Sequence, residues 1–229
     1  MFPYFFDQYY LFLVVPTLIL SMWAQFKVKS TFAKYSKVVP RRKITGQDSA
    51  AMVLKSRSIR DVKIESVRGS LTDHYDPSTK VVRLSGPVFG ENSISAIGVA
   101  AHEAGHAIQH AGGYGPLVLR STLVPVANIG SMLGPYIAIA GLFFSMQPLL
   151  YIGILLFAGA VLFYLITLPV EFDASARAIA ILRESNALSD EELSGVKKVL
   201  AAAAMTYVAS ALTAVMSLLR LVLLARDRR

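Results

Sequence analysis

Three of the chain's four histidines, His102, His106 and His110, are spaced four residues apart in "IGVAAHEAGHAIQHAGG", residues 97–113. On an α-helix, which rises about 1.5 Å per residue, His102 and His106 lie about one turn apart, so their imidazoles can converge on one metal ion. His110 lies about 12 Å along the axis from His102, which is too far for one ion on an unbroken helix. The spacing therefore predicts a site with two histidine ligands and not three.

Glu103 gives this stretch its chemistry, because residues 102–106 form the pattern HExxH. In that pattern two neutral imidazoles hold zinc, and the carboxylate beside the first one takes a proton from the attacking water. A surface helix with scattered histidines is the alternative. It does not explain why an otherwise histidine-poor chain places three histidines here. The sequence therefore predicts one zinc ion per chain, held by His102 and His106, with Glu103 as general base.

A catalytic zinc needs a third protein ligand and one open position. No histidine follows His110 and the chain has no cysteine, so the third ligand is predicted to be a downstream carboxylate; the candidates are Glu171, Asp173, Glu184 and the acidic run 190–192. Glu171 is preferred because it directly follows an apolar run, and the small residues Ala174 and Ala178 beyond it would allow close helix approach. The alternative is that Glu171 is simply a carboxylate in the first turn of a helix that begins after Pro169, where the helix dipole favours a negative charge.

Other polar residues are weaker candidates for the site. Tyr207 and Arg177 are candidates for stabilising the oxyanion, although Tyr207 could instead anchor a helix and Arg177 could pair with Asp173. His74, in the extended segment "LTDHYDP", is a candidate for lining a cleft where a strand pairs with a peptide; otherwise it is an ordinary strand residue. His110 either supports a ligand, contacts substrate, or is a solvated residue at a helix end.

Composition indicates an integral membrane protein. The chain of 229 residues is 54% hydrophobic and 17% charged, with a mean hydropathy of +0.51, and its apolar residues are concentrated in long runs. The net charge of +8 comes from basic residues beside those runs. Because no nucleic-acid motif accompanies them, we expect a lipid bilayer and no nucleic acid as partner.

The first apolar run, residues 9–26, is uncharged and long enough to span a bilayer. A cleaved signal peptide is the alternative, but the preceding residues carry Asp7 and no positive charge. Seven basic residues follow within 27–43, with no acidic residue before Asp48. The positive-inside rule therefore predicts a retained anchor with this flank in the cytoplasm and the N-terminus outside.

Three more apolar runs follow. Residues 123–146 and 149–170 are predicted to form a transmembrane hairpin joined at "QP", which returns the chain to its starting side. The alanine-rich run 196–224 is predicted to be helical and either crosses or dips into the bilayer. Arg220 within it and the basic tail "ARDRR" count against a crossing.

We therefore predict a mainly α-helical integral membrane protein with a small α+β, zincin-like portion and three or four transmembrane helices. "VKIESV" and "VVRLSG" are predicted strands, Thr45 is a predicted helix cap, and Asn92 or Ser93 is predicted to cap the HExxH helix. The predicted segments are an N-terminal anchor over 1–26, a cytoplasmic zincin-like region over 27–122 with the HExxH helix over 93–111, a transmembrane hairpin over 123–170, a helix with the third ligand and a polar turn over 171–195, and an apolar helix with a basic tail over 196–229.

Four segments carry a family resemblance: "AQFKVKSTFAKYSKV", "RGSLTDHYDP", "GVAAHEAGHAIQHAGGYGPLVLRSTLVPVANIGS" and "LPVEFDASARA". Through them the chain resembles the YugP-like family of bacterial neutral zinc metallopeptidases over nearly its whole length. More distantly it is similar to membrane proteases of the HtpX and CAAX prenyl protease type, which place an HExxH helix before a transmembrane hairpin and a glutamate ligand after it. The resemblance implies His102, His106 and Glu171 as zinc ligands and Glu103 as the base.

The chain departs from that wider group at one position. An aspartate commonly lies four residues after the glutamate ligand and supports a ligand histidine, whereas this chain has Ser175 there and Asp173 two residues earlier. The sequence therefore leaves open which residue supports the ligands.

The prediction is a gluzincin-like zinc endopeptidase in a bacterial-type plasma membrane, with its site on the cytoplasmic side. Its expected substrate is a protein or peptide associated with the membrane. Two alternatives belong to other classes: a metal-binding or scaffolding membrane protein without turnover, and a zinc amidase that acts on a lipid-linked substrate. No oligomeric state is predicted.

Overall fold

The computed structural model describes residues 7–227. Residues 1–6 of the predicted anchor and residues 228–229 of the predicted basic tail lie outside the described residues. A short π-helical segment (Tyr10–Val14) leads into α1 (Val15–Tyr35), and the other helices are α2 (Gly46–Ser56), α3 (Gly86–Phe89), α4 (Ile94–Ala111), α5 (Gly115–Phe143), α6 (Gln147–Glu184) and α7 (Asp190–Arg226). The strands are β1 (Lys63–Val67), β2 (His74–Asp76) and β3 (Val81–Ser85).

The chain divides into two compact units. One, called here the helical unit, comprises residues 7–25, 118–168 and 205–227; the other, the mixed unit, comprises residues 26–117 and 169–204. The strands and the HExxH helix belong to the mixed unit. Helices α1, α6 and α7 each contribute residues to both units.

Four helical segments in the described part of the chain are long and apolar enough to cross a bilayer: Tyr10–Tyr35, α5, α6 and α7. Large apolar side chains point outward from them, among them Phe12 at 79% exposure and Leu155 at 75%. Such exposure is costly in water but is what lipid-facing positions require. The predicted fold class is confirmed, with four candidate spans and one small sheet.

The hairpin joint lies a few residues earlier than the sequence indicated. Helix α5 ends at Phe143 and α6 begins at Gln147, so the turn comprises residues 144–146, where Ser145 has a positive φ of 57°. Gln147 and Pro148 open α6 and do not form the joint. Proline is well tolerated in the first turn of a helix, because an N–H there has no partner within the helix and because the φ of proline already suits a helix.

Arg220, which counted against a crossing by α7, is buried and paired. Its Nε and Nη2 donate hydrogen bonds to Oδ2 of Asp7 at 2.9 and 2.6 Å, and the guanidinium lies 5.2 Å from the centre of the Tyr10 ring. A buried charge is tolerated when an opposite charge and hydrogen bonds compensate it. The pair also brings residue 7 beside the C-terminal part of α7.

The mixed unit is built around α4. Its sheet has the order β1-β3-β2, in which β1 is parallel to β3 and β2 is antiparallel to it. One face of α4 is apolar and buried, namely Ile94, Ile97, Ala101, Ala104 and Ile108. These residues share one core with Val53 of α2, Leu84 of β3, Ile181 of α6 and Val196 of α7. The helix that carries the motif is therefore surrounded on its apolar side.

Capping residues and strand patterns in the sequence correctly predicted where these helices and strands begin. Thr45 and Asp48 form a capping box at the start of α2, and the Ser93 hydroxyl accepts a hydrogen bond from the Ala96 N–H at the start of α4. Both caps satisfy N–H groups that the first helical turn leaves without partners. The two predicted strands are β1 and β3, and the extended segment between them contains β2.

Replacing Arg220 by Met is expected to lower the free energy of unfolding by about 3 kcal/mol, because Asp7 keeps its charge in a buried place without its partner. The double variant Asp7→Asn/Arg220→Met is expected to recover most of that loss. Thermal unfolding in detergent measures both. The matched control is Arg226→Met, which removes the same charge from an exposed position of the same helix. Equal stability of the wild type and Arg220→Met would contradict a stabilising role for the pair.

Candidate metal centre

Two histidine side chains of α4 converge one helical turn apart. The Nε2 atoms of His102 and His106 lie 3.1 Å from each other, and the rings meet edge to face with their centres 4.7 Å apart. His106 is 8% exposed. The opposite face of the helix is held in the core, so both rings are presented from a fixed backbone.

Glu171 of α6 completes a group of three ligand atoms. Its Oε2 lies 3.2 Å from Nε2 of His102 and 3.6 Å from Nε2 of His106, and only 3% of the residue is exposed. Tetrahedral zinc with bonds of about 2.0–2.1 Å separates its ligand atoms by about 3.3–3.4 Å. The donor types and their separations therefore fit a zinc ion. Among residues 7–227, His102, His106 and Glu171 form the group of His, Asp and Glu side chains whose arrangement could hold a metal ion.

The other carboxylate candidates have different partners. Asp173 accepts a hydrogen bond from Nε of Arg177 at 2.6 Å. At the surface, Oε2 of Glu184 lies 3.5 Å from Nη2 of Arg57. Glu192 accepts from the backbone N–H groups of Arg41 and Ser189, both at 2.7 Å. Of the candidates named from the sequence, the structure brings only Glu171 to the histidines.

Glu171 lies deep within a helix and not in its first turn. Helix α6 continues through Pro169 from Gln147 to Glu184, so residues 171–184 belong to the same helix as the second apolar run of the hairpin. The alternative explanation of Glu171, a favourable place beside the dipole of a helix start, is therefore wrong.

The close approach of α4 and α6 depends on Gly105. A Cβ added at Gly105 would lie 2.6 Å from the carbonyl oxygen of Ala174, closer than atoms can pack. Ala174 and Ala178 are both fully buried, as expected for a small-residue stripe at a helix contact. Nothing in the sequence analysis singled out Gly105, although a glycine between the two motif histidines was a possible signal of such a contact.

Each histidine uses its second ring nitrogen for a hydrogen bond. Nδ1 of His102 lies 3.0 Å from Oγ of Ser175, and Nδ1 of His106 lies 2.9 Å from Oε1 of Gln109. Such contacts leave both Nε2 atoms facing the cluster, as metal-ligating histidines require. Ser175 thus supports His102 from the position where the wider group has an aspartate. Gln109 was missed, although it is polar, three residues after His106 and on the same helix.

The electrostatics of the cluster favour a cation. Burial alone would lower the pKa of His106, but the hydrogen bond to Glu171 and the charges of Glu103 and Glu171 outweigh it and raise the pKa above its ordinary value. A pocket that stabilises a proton on an imidazole also attracts a metal ion that competes for the same nitrogen.

Glu103 is 9% exposed. Within the part of the chain that the structure describes, its carboxylate makes no hydrogen bond or ion pair of its own, and none of its oxygens is a sealed, unsatisfied acceptor. A carboxylate that is almost buried but not engaged is available to accept a proton from a small molecule beside it.

The remaining candidates lie elsewhere or have other contacts. His110 does not join the cluster; its Nδ1 lies 2.8 Å from the hydroxyl of Tyr75 on β2. His74 is exposed on the same strand, with Nδ1 2.8 Å from the Thr72 carbonyl oxygen. Arg177 pairs with Asp173, and Tyr207 belongs to the helical unit, so its role at the oxyanion stays a prediction.

Comparison with known proteins bears on this geometry. Residues 10–226 match the protein family described as "Putative neutral zinc metallopeptidase". The chain belongs to this family. A relative from Bacillus subtilis (strain 168), named "Putative membrane protease YugP", is 51% identical over 220 residues, which are 96% of this chain and 98% of the relative. No solved structure matches the chain significantly. The family resemblance is confirmed, and with four apolar helices this member of the family is a membrane protein.

Replacing Gly105 by Ala is expected to separate α4 from α6 and to weaken zinc binding, because the new methyl group meets the Ala174 carbonyl. Zinc content per chain after gel filtration and thermal unfolding measure the two effects; we expect a stability loss of about 1–3 kcal/mol from overpacking. Gly90→Ala is the matched control, since a Cβ there has no atom within 4 Å. A Gly105→Ala variant with full zinc content and unchanged stability would show that the contact is not needed.

Proposed function

We propose that the chain is a membrane-embedded, zinc-dependent endopeptidase in which His102, His106 and Glu171 hold one zinc ion and Glu103 is the general base. The observation that carries the proposal is the convergence of three ligand atoms from two helices, at separations of 3.1, 3.2 and 3.6 Å. Membership of a zinc metallopeptidase family supports the same assignment.

The bound ion would supply Lewis acidity, which polarises a carbonyl oxygen and lowers the pKa of water. The protein supplies the rest. His102 and His106 would each hold the ion through Nε2, because Ser175 and Gln109 engage the other nitrogen. Glu171 contributes one negative charge, which leaves a net positive site for a developing oxyanion.

Glu103 moves the protons. Its carboxylate accepts a proton from the attacking water and later delivers it to the amine that leaves, which is general base followed by general acid catalysis. Its position directly after His102 keeps it beside the ligands, and its low exposure limits competition from bulk water.

A polypeptide substrate suits the edge strand beside α4. Strand β2 lies at the edge of the sheet, and an edge strand can bind an extended peptide through main-chain hydrogen bonds. The hydroxyl of Tyr75 on β2 bonds His110 of α4, so the strand is fixed to the helix that carries the motif. His74, exposed on β2, is placed to contact such a peptide.

We also propose on which side of the membrane the metal centre lies. Exposed basic residues follow α1 in the mixed unit, among them Lys27, Lys29 and Arg41. The positive-inside rule supports a cytoplasmic position for this flank in a bacterial-type cell. We therefore propose that the metal centre, which belongs to the same unit, is on the cytoplasmic side of a multi-pass plasma membrane protein. The substrate is then a protein or peptide at that membrane.

Replacing Glu103 by Gln is expected to keep zinc but to slow hydrolysis about 10²–10⁴-fold, because the amide cannot accept the proton of water. Zinc content is measured by elemental analysis and hydrolysis with casein, a generic unfolded substrate. Wild-type hydrolysis that is lost with a zinc chelator and restored with zinc separates an endopeptidase from a metal-binding scaffold. Full activity of Glu103→Gln would remove Glu103 from the mechanism.

Replacing Glu171 by Ala is expected to reduce zinc content far below one ion per chain, since two imidazoles alone hold zinc weakly. The matched control is Glu184→Ala, which removes an exposed carboxylate from the same helix and should keep the full zinc content. Stoichiometric zinc in Glu171→Ala would assign the third ligand to another carboxylate.

A further inference from the structure

Gln109 is a fully buried amide whose hydrogen bonds are all made. Its Oε1 lies 2.9 Å from Nδ1 of His106. Its Nε2 donates one hydrogen bond to the carbonyl oxygen of Val170 and another to Oδ2 of Asp173, both at 2.8 Å. A buried side chain in which both donors and the acceptor are used is held in a single orientation.

The orientation of this amide determines which nitrogen of His106 carries the hydrogen. The Val170 carbonyl and the Asp173 carboxylate can only accept, so the amide nitrogen must face them and Oε1 must face the imidazole. An oxygen that can only accept requires a hydrogen on Nδ1 of His106. Nε2 is then left with its lone pair toward Glu171 and His102, as a metal ligand needs.

Further contacts hold Asp173 in place. Nε of Arg177 donates to Oδ2 of Asp173 at 2.6 Å, and the Arg177 guanidinium lies 5.5 Å from the centre of the Tyr114 ring. Within the described residues Asp173 makes no hydrogen bond to either histidine, so its hydrogen-bonded link to His106 passes through Gln109. We call Arg177, Asp173 and Gln109 the amide relay.

Gln109 also reaches the helix of the third ligand. Val170 directly precedes Glu171, and its carbonyl accepts from Gln109. One side chain of α4 therefore orients a histidine and fixes the backbone next to the glutamate on α6. A carboxylate could not do this, because it has no hydrogen to donate to a carbonyl and would add a charge beside Asp173. The Ser175 hydroxyl at His102 can either donate or accept, so it constrains the tautomer of its histidine less.

We propose that Gln109 is the positioning residue of the metal centre, setting the tautomer of His106 and the placement of Glu171, and that Asp173 acts through it. This inference rests on the proposed zinc ligands. Gln109→Leu is expected to weaken zinc binding about 10–100-fold. Ser175→Ala is expected to weaken it less. The readout is the zinc dissociation constant of the full chain in detergent, measured by competition with a chromophoric chelator.

A double-mutant cycle separates positioning from general destabilisation. Asp173→Asn should weaken zinc binding in the wild-type background, because the charged acceptor beside Gln109 is lost and only the Val170 carbonyl still requires the amide nitrogen to face it. In the Gln109→Leu background it should weaken zinc binding clearly less than in the wild type, whereas independent structural damage would add. The control is Ser49→Ala, which removes a buried hydrogen bond to the Ile97 carbonyl on another side of α4. It should lower stability and leave zinc affinity unchanged.

The outcomes distinguish the inference from the proposed function. A wild type that binds no zinc would overturn both. A wild type that binds zinc, with Gln109→Leu binding it equally well or the two substitutions acting additively, would overturn the positioning role alone. If Gln109→Leu does not fold, Asp173→Asn decides, since zinc affinity equal to the wild type would overturn the relay.

Discussion

The proposed metal centre depends on one helix contact, the approach of α4 to α6 where Gly105 meets Ala174. Without it the glutamate that HExxH lacks would not reach the histidines, because His102 and Glu171 are 69 residues apart in the chain. The contact requires a residue without a side chain on one helix and small residues on the other. The packing of the mixed unit serves to hold this pair of backbones at that distance.

The two faces of helix α4 have different roles, one in packing and one at the candidate site. Its apolar face is enclosed by α2, β3, α6 and α7, and its polar face carries His102, His106 and Gln109. Dense packing on one side limits backbone motion, so the imidazoles meet their partners without a further cost of ordering. Burial of the ligands then strengthens their electrostatic interactions. The chemistry of the site is thus a consequence of how the core holds one helix.

Structural features that depend on neighbouring residues in the chain were predictable from the sequence. Features that depend on contacts between residues far apart in the chain were not. Helical spacing separated His110 from the other histidines, and caps such as Ser93 marked helix starts correctly. The preference for Glu171 came from its place after an apolar run. Gln109 was not found because its role depends on Val170 and Asp173, 61 and 64 residues away. The role of Arg220 was not predictable for the same reason, since only the fold shows its pairing with Asp7, 213 residues earlier.

The order of the ligands along the chain has a consequence for biosynthesis. Ribosomes make α4 first and α6 only after the whole of α5, so a nascent chain at that stage carries two histidines and no third ligand. Tight zinc binding, on the proposed ligand set, must wait until the hairpin of α5 and α6 has been completed and α6 has docked. A chain that fails to insert its hairpin would remain without metal and without hydrolytic activity. Separating the proposed ligands across the hairpin would therefore make hydrolysis conditional on assembly of the helices.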